Sequence, residues 1–102
     1  MVFFSSFFFL VSQECSWFQS FPRWVVEGIR IEEEIVLRSR NGQLWPVGTL
    51  ARHDGRRMIC SGWVRFVEKN HLKPQDKCMF ELVVDETNTC REIRVDVIRG
   101  DD

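Results

Sequence analysis

The sequence predicts a small, mostly β domain with a minor α component, arranged as a barrel or a sandwich with two short helices. A chain of 102 residues corresponds to one domain with a single modest core. Short stretches of alternating apolar and polar residues are separated by turn residues, as in compact β domains. Nine Phe and four Trp with no Tyr indicate that the core is rich in aromatic rings.

The N-terminal residues 1–16 form an apolar segment whose role the patterns leave open. Phe3–Val11 is apolar enough for a secretory signal, but it lacks a basic start and a small-residue cleavage site. It is also too short to span a bilayer. A first strand, or the start of a truncated chain, is the simpler interpretation, and residues 17–100 are predicted to form the domain.

The first half of the domain is predicted to contain a helix followed by two strands. Phe21–Gly28 carries a proline near its start and a glycine at its end, which is typical of a short helix. Ile31–Arg38 alternates as an edge strand does. An Asn-Gly pair then predicts a tight turn into the strand Leu44–Val47. Pro46 cannot donate a ladder hydrogen bond, so this strand is expected at an edge or at a bulge.

The second half is predicted to contain three strands and a helix. An Asp-Gly pair predicts a second tight turn, followed by the strand Arg57–Cys60. Ser61 is positioned to cap a helix that runs to Asn70. The segments Cys78–Val84 and Arg91–Ile98 are predicted to be the last strands.

Three aromatic side chains could form a platform for nucleic-acid bases: Trp45, Trp63 and Phe66. Each occupies an inward position of its predicted strand or helix. Packing in the core is therefore the favoured interpretation.

The charge of the chain is distributed unevenly, although the formal net charge is only −1. Residues 52–77 contain seven Lys or Arg and three acids, a balance of 7 − 3 = +4. One basic face on a compact domain is typical of a protein that binds a polyanion. Because no long basic amphipathic helix is present, nucleic acid is favoured over a membrane surface.

The basic residues around the Asp-Gly turn are the sharpest candidates for such a contact. Arginine presents a planar fork of donors that fits phosphate oxygens and also guanine O6 and N7. From spacing alone, a solvated hairpin tip is the simpler interpretation. Arg65 and Lys69 on the following helix extend the positive field, which favours a binding surface. The candidates on the turn are Arg52, His53, Arg56 and Arg57.

The four cysteines lie far apart, with no pair at the short spacing of a zinc site. A disulfide scaffold of this length would be denser in cysteine, so reduced thiols in an intracellular protein are predicted. The sequence contains no Gly-rich phosphate loop and no Gly-x-Ser-x-Gly turn. Neither an enzyme nor a bound metal or cofactor is predicted.

A series of spaced residues resembles a known family over about residues 17–99. It comprises Gly42-x-x-Trp45-x-Val47, Gly62-Trp63-x-x-Phe66-Val67-x-x-Asn70-x-Leu72, Asp76 and Phe80-x-Leu82. This series resembles the plant B3 DNA-binding domain, and it is most similar to the reproductive-meristem branch of that superfamily. The chain departs from the family pattern at Gln75, where a glycine commonly precedes the aspartate.

The resemblance implies a seven-stranded open pseudobarrel of the B3 type with two short helices. It also implies a nuclear location and a role in transcription regulation through the major groove of double-stranded DNA. Two arms grip the groove in the family. The first arm corresponds here to Gln19, Ser20 and Arg23, and the second to Thr49, Arg52, His53, Arg56 and Arg57. Because the second arm is the hairpin already indicated by charge, DNA contact is preferred to a solvated tip.

Two other functions stay open at this point. A B3-like module with weak or no DNA binding would pair with other transcription regulators. The acidic residues 32–34 and the nearly uncharged first arm support this function. A small secreted domain, with about the first eleven residues as a signal, is the third candidate. The sequence leaves the DNA motif, the sign of regulation and the oligomeric state undetermined.

Overall fold

The computed structural model describes residues 3–10 and 19–100 of the chain. The helices are α1 (Arg23–Gly28) and α2 (Trp63–Lys69). The mostly β class with two short helices is therefore confirmed. The strands are β1 (Phe3–Leu10), β2 (Gln19–Ser20), β3 (Arg30–Ser39), β4 (Leu44–Ala51), β5 (Arg57–Ile59), β6 (Lys77–Val84) and β7 (Thr89–Ile98).

The strands form one hydrogen-bonded series in the order β1-β6-β7-β3-β4-β5-β2. Neighbours are antiparallel except for β3 and β7, which are parallel. β1 pairs with β6 along its whole length, from Phe3 opposite Val84 to Leu10 opposite Lys77. A first strand was thus the correct interpretation of these apolar residues. The remainder of the N-terminal segment, with Cys15, lies outside the described residues.

β3 lies inside the sheet between β7 and β4, so the prediction of an edge strand is wrong. Its pairing with β7 shifts between Ile31 and Val36, which leaves the acidic residues 32–34 at an irregularity of the ladder. Ile31 and Ile35 are buried on either side of that irregularity. Glu33 and Glu34 are exposed between them, as residues on the solvent side of an edge strand are. Their polarity is the reason why the sequence pattern indicated an edge.

Pro46 lies in the half of β4 that has a ladder on one side only. β4 pairs with β3 from Leu44 to Gly48, and with β5 only from Thr49 to Ala51. The missing N–H of Pro46 therefore interrupts no ladder between β4 and β5. The prediction of an edge or a bulge at Pro46 is wrong, because β4 lies between β3 and β5 and its pairing with β3 runs without a shift.

α2 begins at Gly62 rather than at a serine cap. The helix has no side-chain capping hydrogen bond, so the prediction that Ser61 caps it is wrong. Gly62 has a φ of 82°, and a Cβ atom there would lie 2.5 Å from the carbonyl oxygen of Pro46. Only glycine fits both the positive φ and the close approach. The glycine of the Gly-Trp pair thus seats α2 directly against β4.

The centre of the core is an aromatic cluster, as the inward positions predicted. Trp63 and Phe66 are 1% and 0% exposed, and their rings stack with centroids 5.4 Å apart. Phe66 meets the edge of Trp45 at 5.6 Å, and Trp63 meets the edge of Phe80 at 6.2 Å. The indole N–H of Trp45 donates to Ser39 Oγ at 2.8 Å. These rings pack the sheet against α2 and are not available to stack on bases.

Asp76 forms a buried carboxylate site after the C-terminal end of α2. We call Asp76 and its partners Lys73, Arg99 and Gly100 the Asp76 clamp. The residue is fully buried, with 0% exposure. Its Oδ1 accepts a hydrogen bond from the backbone N–H of Gly100 at 2.9 Å. Its Oδ2 accepts from the backbone N–H of Lys73 at 3.0 Å and from Nη1 of Arg99 at 3.1 Å. Burial acts to raise the pKa of Asp76, but these three donors outweigh it and the pKa is lowered.

Arg99 extends the Asp76 clamp to the C-terminal end of α2. Its Nη2 donates to the carbonyl oxygen of Asn70 at 2.8 Å, and its Nη1 donates to that of His71 at 3.1 Å. Carbonyl groups at the end of a helix have no intrahelical partner, and a guanidinium group there satisfies them. One aspartate and one arginine thus join α2, the following turn and the end of β7.

Candidate nucleic-acid interface

The hairpin between β4 and β5 is a tight turn held by its own backbone. The N–H of Arg52 donates to the carbonyl oxygen of Arg56 at 2.7 Å, and the N–H of Gly55 donates back to that of Arg52 at 3.1 Å. Gly55 has a φ of 87°, which glycine adopts without strain. The predicted Asp-Gly turn is therefore present, and residues 51–56 are all exposed. We call residues 52–56 the hairpin tip.

Two arginines and one aspartate meet at the hairpin tip. Arg52 Nε and Arg56 Nε each lie 3.8 Å from Asp54 Oδ2. The side chains of Arg52 and Arg56 are 42% and 69% exposed. Contacts of this length are exposed ion pairs rather than short hydrogen bonds, so they attract the Nε side of each guanidinium group and can be exchanged for other contacts. The terminal NH2 groups of both arginines can therefore meet a partner.

Arg57 and Thr49 sit deeper, at the base of the hairpin. Thr49 is 8% exposed, and its hydroxyl donates to the carbonyl oxygen of Glu32 at 2.6 Å. The same hydroxyl oxygen accepts a hydrogen bond from Arg57 Nε at 3.1 Å. The geometry gives Thr49 the role of orienting Arg57. Arg57 also lines an open cavity of about 610 Å³ together with the acidic residues 32–34.

The first arm lies directly beside the hairpin. β2 pairs with β5, with Gln19 opposite Ile59 and Ser20 opposite Met58. The N–H of Phe21 then donates to the carbonyl oxygen of Arg57 at 3.0 Å. These backbone bonds bring the two sequence-distant arms to one side of the sheet.

A cavity of about 380 Å³ separates the two arms and is lined by residues of both. Ser20 and Arg23 come from the first arm, and Gly55 and Arg56 come from the hairpin tip. Arg23 is exposed and lies 3.7 Å from Glu27 on the next turn of α1. The lining thus includes one arginine from each arm, and guanidinium groups bind anionic groups.

The remaining predicted contacts are not brought to this cavity. Arg65 and Lys69 are exposed on α2, and within residues 19–100 neither forms an ion pair or hydrogen bond with the hairpin tip. His53 is exposed at the tip itself. The structure therefore joins Ser20, Arg23 and Arg56 and leaves the α2 residues as a separate positive surface.

Sequence reasoning missed Asp54 and the partner of Asp76. Asp54 was treated as a turn residue, although arginines two positions before and two positions after it were a usable signal. Arg99 lies 23 residues beyond Asp76 and carries no spacing signal that links the two.

The cysteines within the described residues are free thiols at Cys60, Cys78 and Cys90. Burial raises the pKa of Cys78 to about 12 and that of Cys90 to about 11. Among the described residues, no group of three or more His, Cys, Asp or Glu could hold a metal ion. Over the same residues, α1 and α2 both fall short of the length and apolar character needed to cross a membrane.

The described residues form a mostly β sheet with two short helices, and two arms place arginines beside one cavity. The model of the B3 DNA binding domain family matches residues 5–101. The chain therefore belongs to the B3 DNA binding domain family.

Relatives and solved structures agree with this assignment. A B3 domain-containing protein of Arabidopsis thaliana is 32% identical over 73 residues, which are 72% of this chain and 22% of the relative. A B3 domain-containing protein of Oryza sativa subsp. japonica is 32% identical over 60 residues, which are 59% of this chain and 12% of the relative. The chain thus spans about a fifth or less of the length of these relatives.

Two solved structures share the fold. A protein of Arabidopsis thaliana superposes with a TM-score of 0.78 at 20% identity, and the match covers 96% of this chain and 93% of that chain. The Arabidopsis FUS3–DNA complex matches with a TM-score of 0.64 at 12% identity, covering 93% of this chain and 97% of that chain.

Proposed function

We propose that this chain binds double-stranded DNA in a sequence-specific manner through the major groove and acts in transcription regulation in the nucleus. The observation that carries the proposal is the cavity that Arg23 of one arm and Arg56 of the other arm line together. The similarly folded FUS3 was solved as a complex with DNA. We expect binding without catalysis, and the strands to curve into the seven-stranded open pseudobarrel implied by the family.

The hairpin tip suits the major groove by its size and chemistry. A two-stranded β-ribbon fits this groove, whose base edges carry a distinct pattern of donors and acceptors for each base pair. Arg52 and Arg56 are exposed on that ribbon, with terminal NH2 groups able to form bidentate contacts. Arg57, held by Thr49, supports the base of the ribbon, and Arg65 and Lys69 add long-range attraction.

The first arm supplies the second point of contact. Ser20 and Arg23 line the cavity opposite Arg56, and Gln19 lies next in the chain. A phosphate group between Arg23 and Arg56 would fix the register of the protein on the duplex. We therefore assign Gln19, Ser20 and Arg23 to positioning, and the hairpin tip both to the phosphate in this cavity, through Arg56, and to base contact.

The salt dependence of binding tests the role of the hairpin. If about four phosphates are neutralised, the logarithm of the association constant falls with the logarithm of salt concentration at a slope near −3.6. Replacement Arg56→Ala is expected to flatten that slope by about one unit. The measurement is a fluorescence-anisotropy titration of a labelled duplex at several salt concentrations.

Arg40→Ala is the matched control for this titration. Arg40 is an exposed arginine 3.8 Å from Asp96, in the turn at the opposite end of β4 from Arg56. Its replacement removes the same charge beyond the other end of β4, a strand of eight residues that spans about 23 Å in seven steps of about 3.3 Å. Equal slopes for the wild-type chain and the Arg56→Ala variant would remove Arg56 from the contacts with DNA.

A protein-interaction module remains the second candidate because of the acidic irregularity in β3. Residues 32–34 interrupt the ladder there, and Glu33 and Glu34 are exposed. A basic segment of another transcription regulator would fit this surface by charge. Titration with random duplex at low salt separates the two functions, because complete absence of binding would leave only the protein partner.

A further inference from the structure

Asp54 lies between the two exposed arginines of the hairpin tip. Its Oδ2 is 3.8 Å from Nε of Arg52 and 3.8 Å from Nε of Arg56. Its Oδ1 accepts a hydrogen bond from the backbone N–H of Arg56 at 3.1 Å. One carboxylate therefore both closes the turn and attracts two guanidinium groups.

We propose that Asp54 is a positioning residue that sets the sequence specificity of the DNA contact made by Arg52 and Arg56. The inference rests on the proposed function. In each arginine the Nε side faces Asp54, which leaves the terminal NH2 groups to face a partner. Those groups form the fork that recognises guanine O6 and N7.

The negative charge of Asp54, like its orientation of the two arginines, favours contact with bases. A carboxylate at the surface that approaches DNA repels the phosphate backbone and so weakens sequence-independent binding. Phosphate contacts tolerate many arginine conformations, whereas a bidentate base contact requires a fixed one. By attracting both guanidinium groups and opposing phosphates, Asp54 favours base contact over backbone contact.

The variant Asp54→Asn distinguishes the positioning of the two arginines from the closing of the turn. An asparagine keeps the side-chain oxygen that accepts the Arg56 N–H, so the turn is retained. It removes the charge that attracts the two arginines. A purely structural role of Asp54 would leave this variant unchanged except for the added positive charge.

Asp96→Asn is the matched control for the added charge. Asp96 lies 3.8 Å from the exposed Arg40, and its side chain is 36% exposed, against 38% for Asp54. Both replacements change the net charge by one unit in the same direction. Only one of them lies at the hairpin tip.

The experiment is a binding screen of the 102-residue chain on an array of randomised duplexes at one fixed salt concentration. The readout is the ratio between the best-bound and the median duplex. We expect Asp54→Asn to lower this ratio by about fivefold, the loss of part of one good base contact, while binding to the median duplex rises. Asp96→Asn is expected to leave the ratio unchanged.

Three other outcomes decide against the inference. A ratio in Asp54→Asn equal to that in Asp96→Asn overturns it and leaves the proposed function intact. Uniformly weaker binding of Asp54→Asn to all duplexes at an unchanged ratio also overturns it, since the charge of Asp54 would then support every contact alike rather than base contact. Absence of duplex binding by the wild-type chain is a failure of the proposed function itself, and the inference falls with it.

Discussion

Two of the arginine–aspartate assemblies among the described residues, the Asp76 clamp and the hairpin tip, use the same chemistry in opposite environments. In the Asp76 clamp the carboxylate is fully buried and accepts three hydrogen bonds of 2.9–3.1 Å. At the hairpin tip the carboxylate of Asp54 is 38% exposed and lies 3.8 Å from each of two guanidinium groups. One assembly joins three elements of the fold, and the other lies on a single turn.

The difference indicates which assembly serves stability and which serves binding. A buried carboxylate must be fully hydrogen-bonded, because an unpaired buried charge costs several kcal/mol, about 3–5 when one partner is removed. An exposed ion pair contributes about 0–1 kcal/mol and leaves its donors exchangeable. The buried carboxylate of the clamp is therefore committed to the fold, whereas the hairpin tip can replace its ion pairs with contacts to DNA.

Removal of the buried carboxylate is expected to produce the largest effect. Asp76→Ala should lower the free energy of unfolding by about 3 kcal/mol, because the N–H groups of Lys73 and Gly100 lose their acceptor and Arg99 loses its partner. Urea denaturation followed by tryptophan fluorescence measures the change.

Asp54→Asn is the exposed counterpart of that replacement. It should change the free energy of unfolding by no more than about 0.5 kcal/mol, as surface replacements do. A comparable loss of stability in both variants would contradict the division between a structural and a binding assembly.

Two glycines extend the comparison from side chains to backbone. Gly62 and Gly55 have φ values of 82° and 87°, so alanine is strained at either position. A Cβ atom at Gly62 would meet the Pro46 oxygen at 2.5 Å, whereas nothing lies within 4 Å of one at Gly55. We expect Gly62→Ala to lower the free energy of unfolding by about 2–3 kcal/mol and Gly55→Ala by about 1 kcal/mol. Equal losses in thermal or urea denaturation would show that the contact with β4 is unimportant.

The aromatic core and the turns could be predicted from the sequence because local patterns encode them. The inward spacing of Trp63 and Phe66 and the Asn-Gly and Asp-Gly pairs depend only on near neighbours. The place of β3 in the sheet could not be predicted, because it depends on the parallel partner β7 more than fifty residues away. Ser61 was assigned as a cap from residue type alone, but the close approach of Gly62 to Pro46 determines where α2 begins.

The candidate interface was predicted in part. The charge pattern located Arg52 and Arg56, and the family resemblance located the first arm. That Ser20 and Arg23 share a cavity with Arg56 follows from the pairing of β2 with β5, which no local pattern encodes. Whether these residues contact DNA stays a prediction, as do the boundaries 1–16 and 17–100 and the assignment to the reproductive-meristem branch.

The left-handed position next to the Asp76 clamp yields a small expected gain in stability. Gln75 has a φ of 80°, and a Cβ atom at Gly100 would lie 2.4 Å from its carbonyl oxygen, so this turn is tightly packed. At the hairpin tip the corresponding left-handed position is occupied by Gly55. A side chain at positive φ costs about 1–2 kcal/mol, and glycine loses about 0.5–1 kcal/mol in chain entropy. The first cost exceeds the second, so Gln75→Gly should raise the free energy of unfolding by about 0.5–1 kcal/mol.

Gln43→Gly is the matched control, since Gln43 is exposed in a turn and does not have a positive φ. There only the entropic cost applies, and stability should fall by about 0.5 kcal/mol. Opposite signs for the two replacements in urea denaturation would locate stored backbone strain at Gln75. A loss of stability in Gln75→Gly would instead mean that the glutamine side chain stabilises the turn by more than its backbone conformation costs. In either case DNA binding should be unaffected, because Gln75 lies on the turn after α2 and outside the cavity between the two arms.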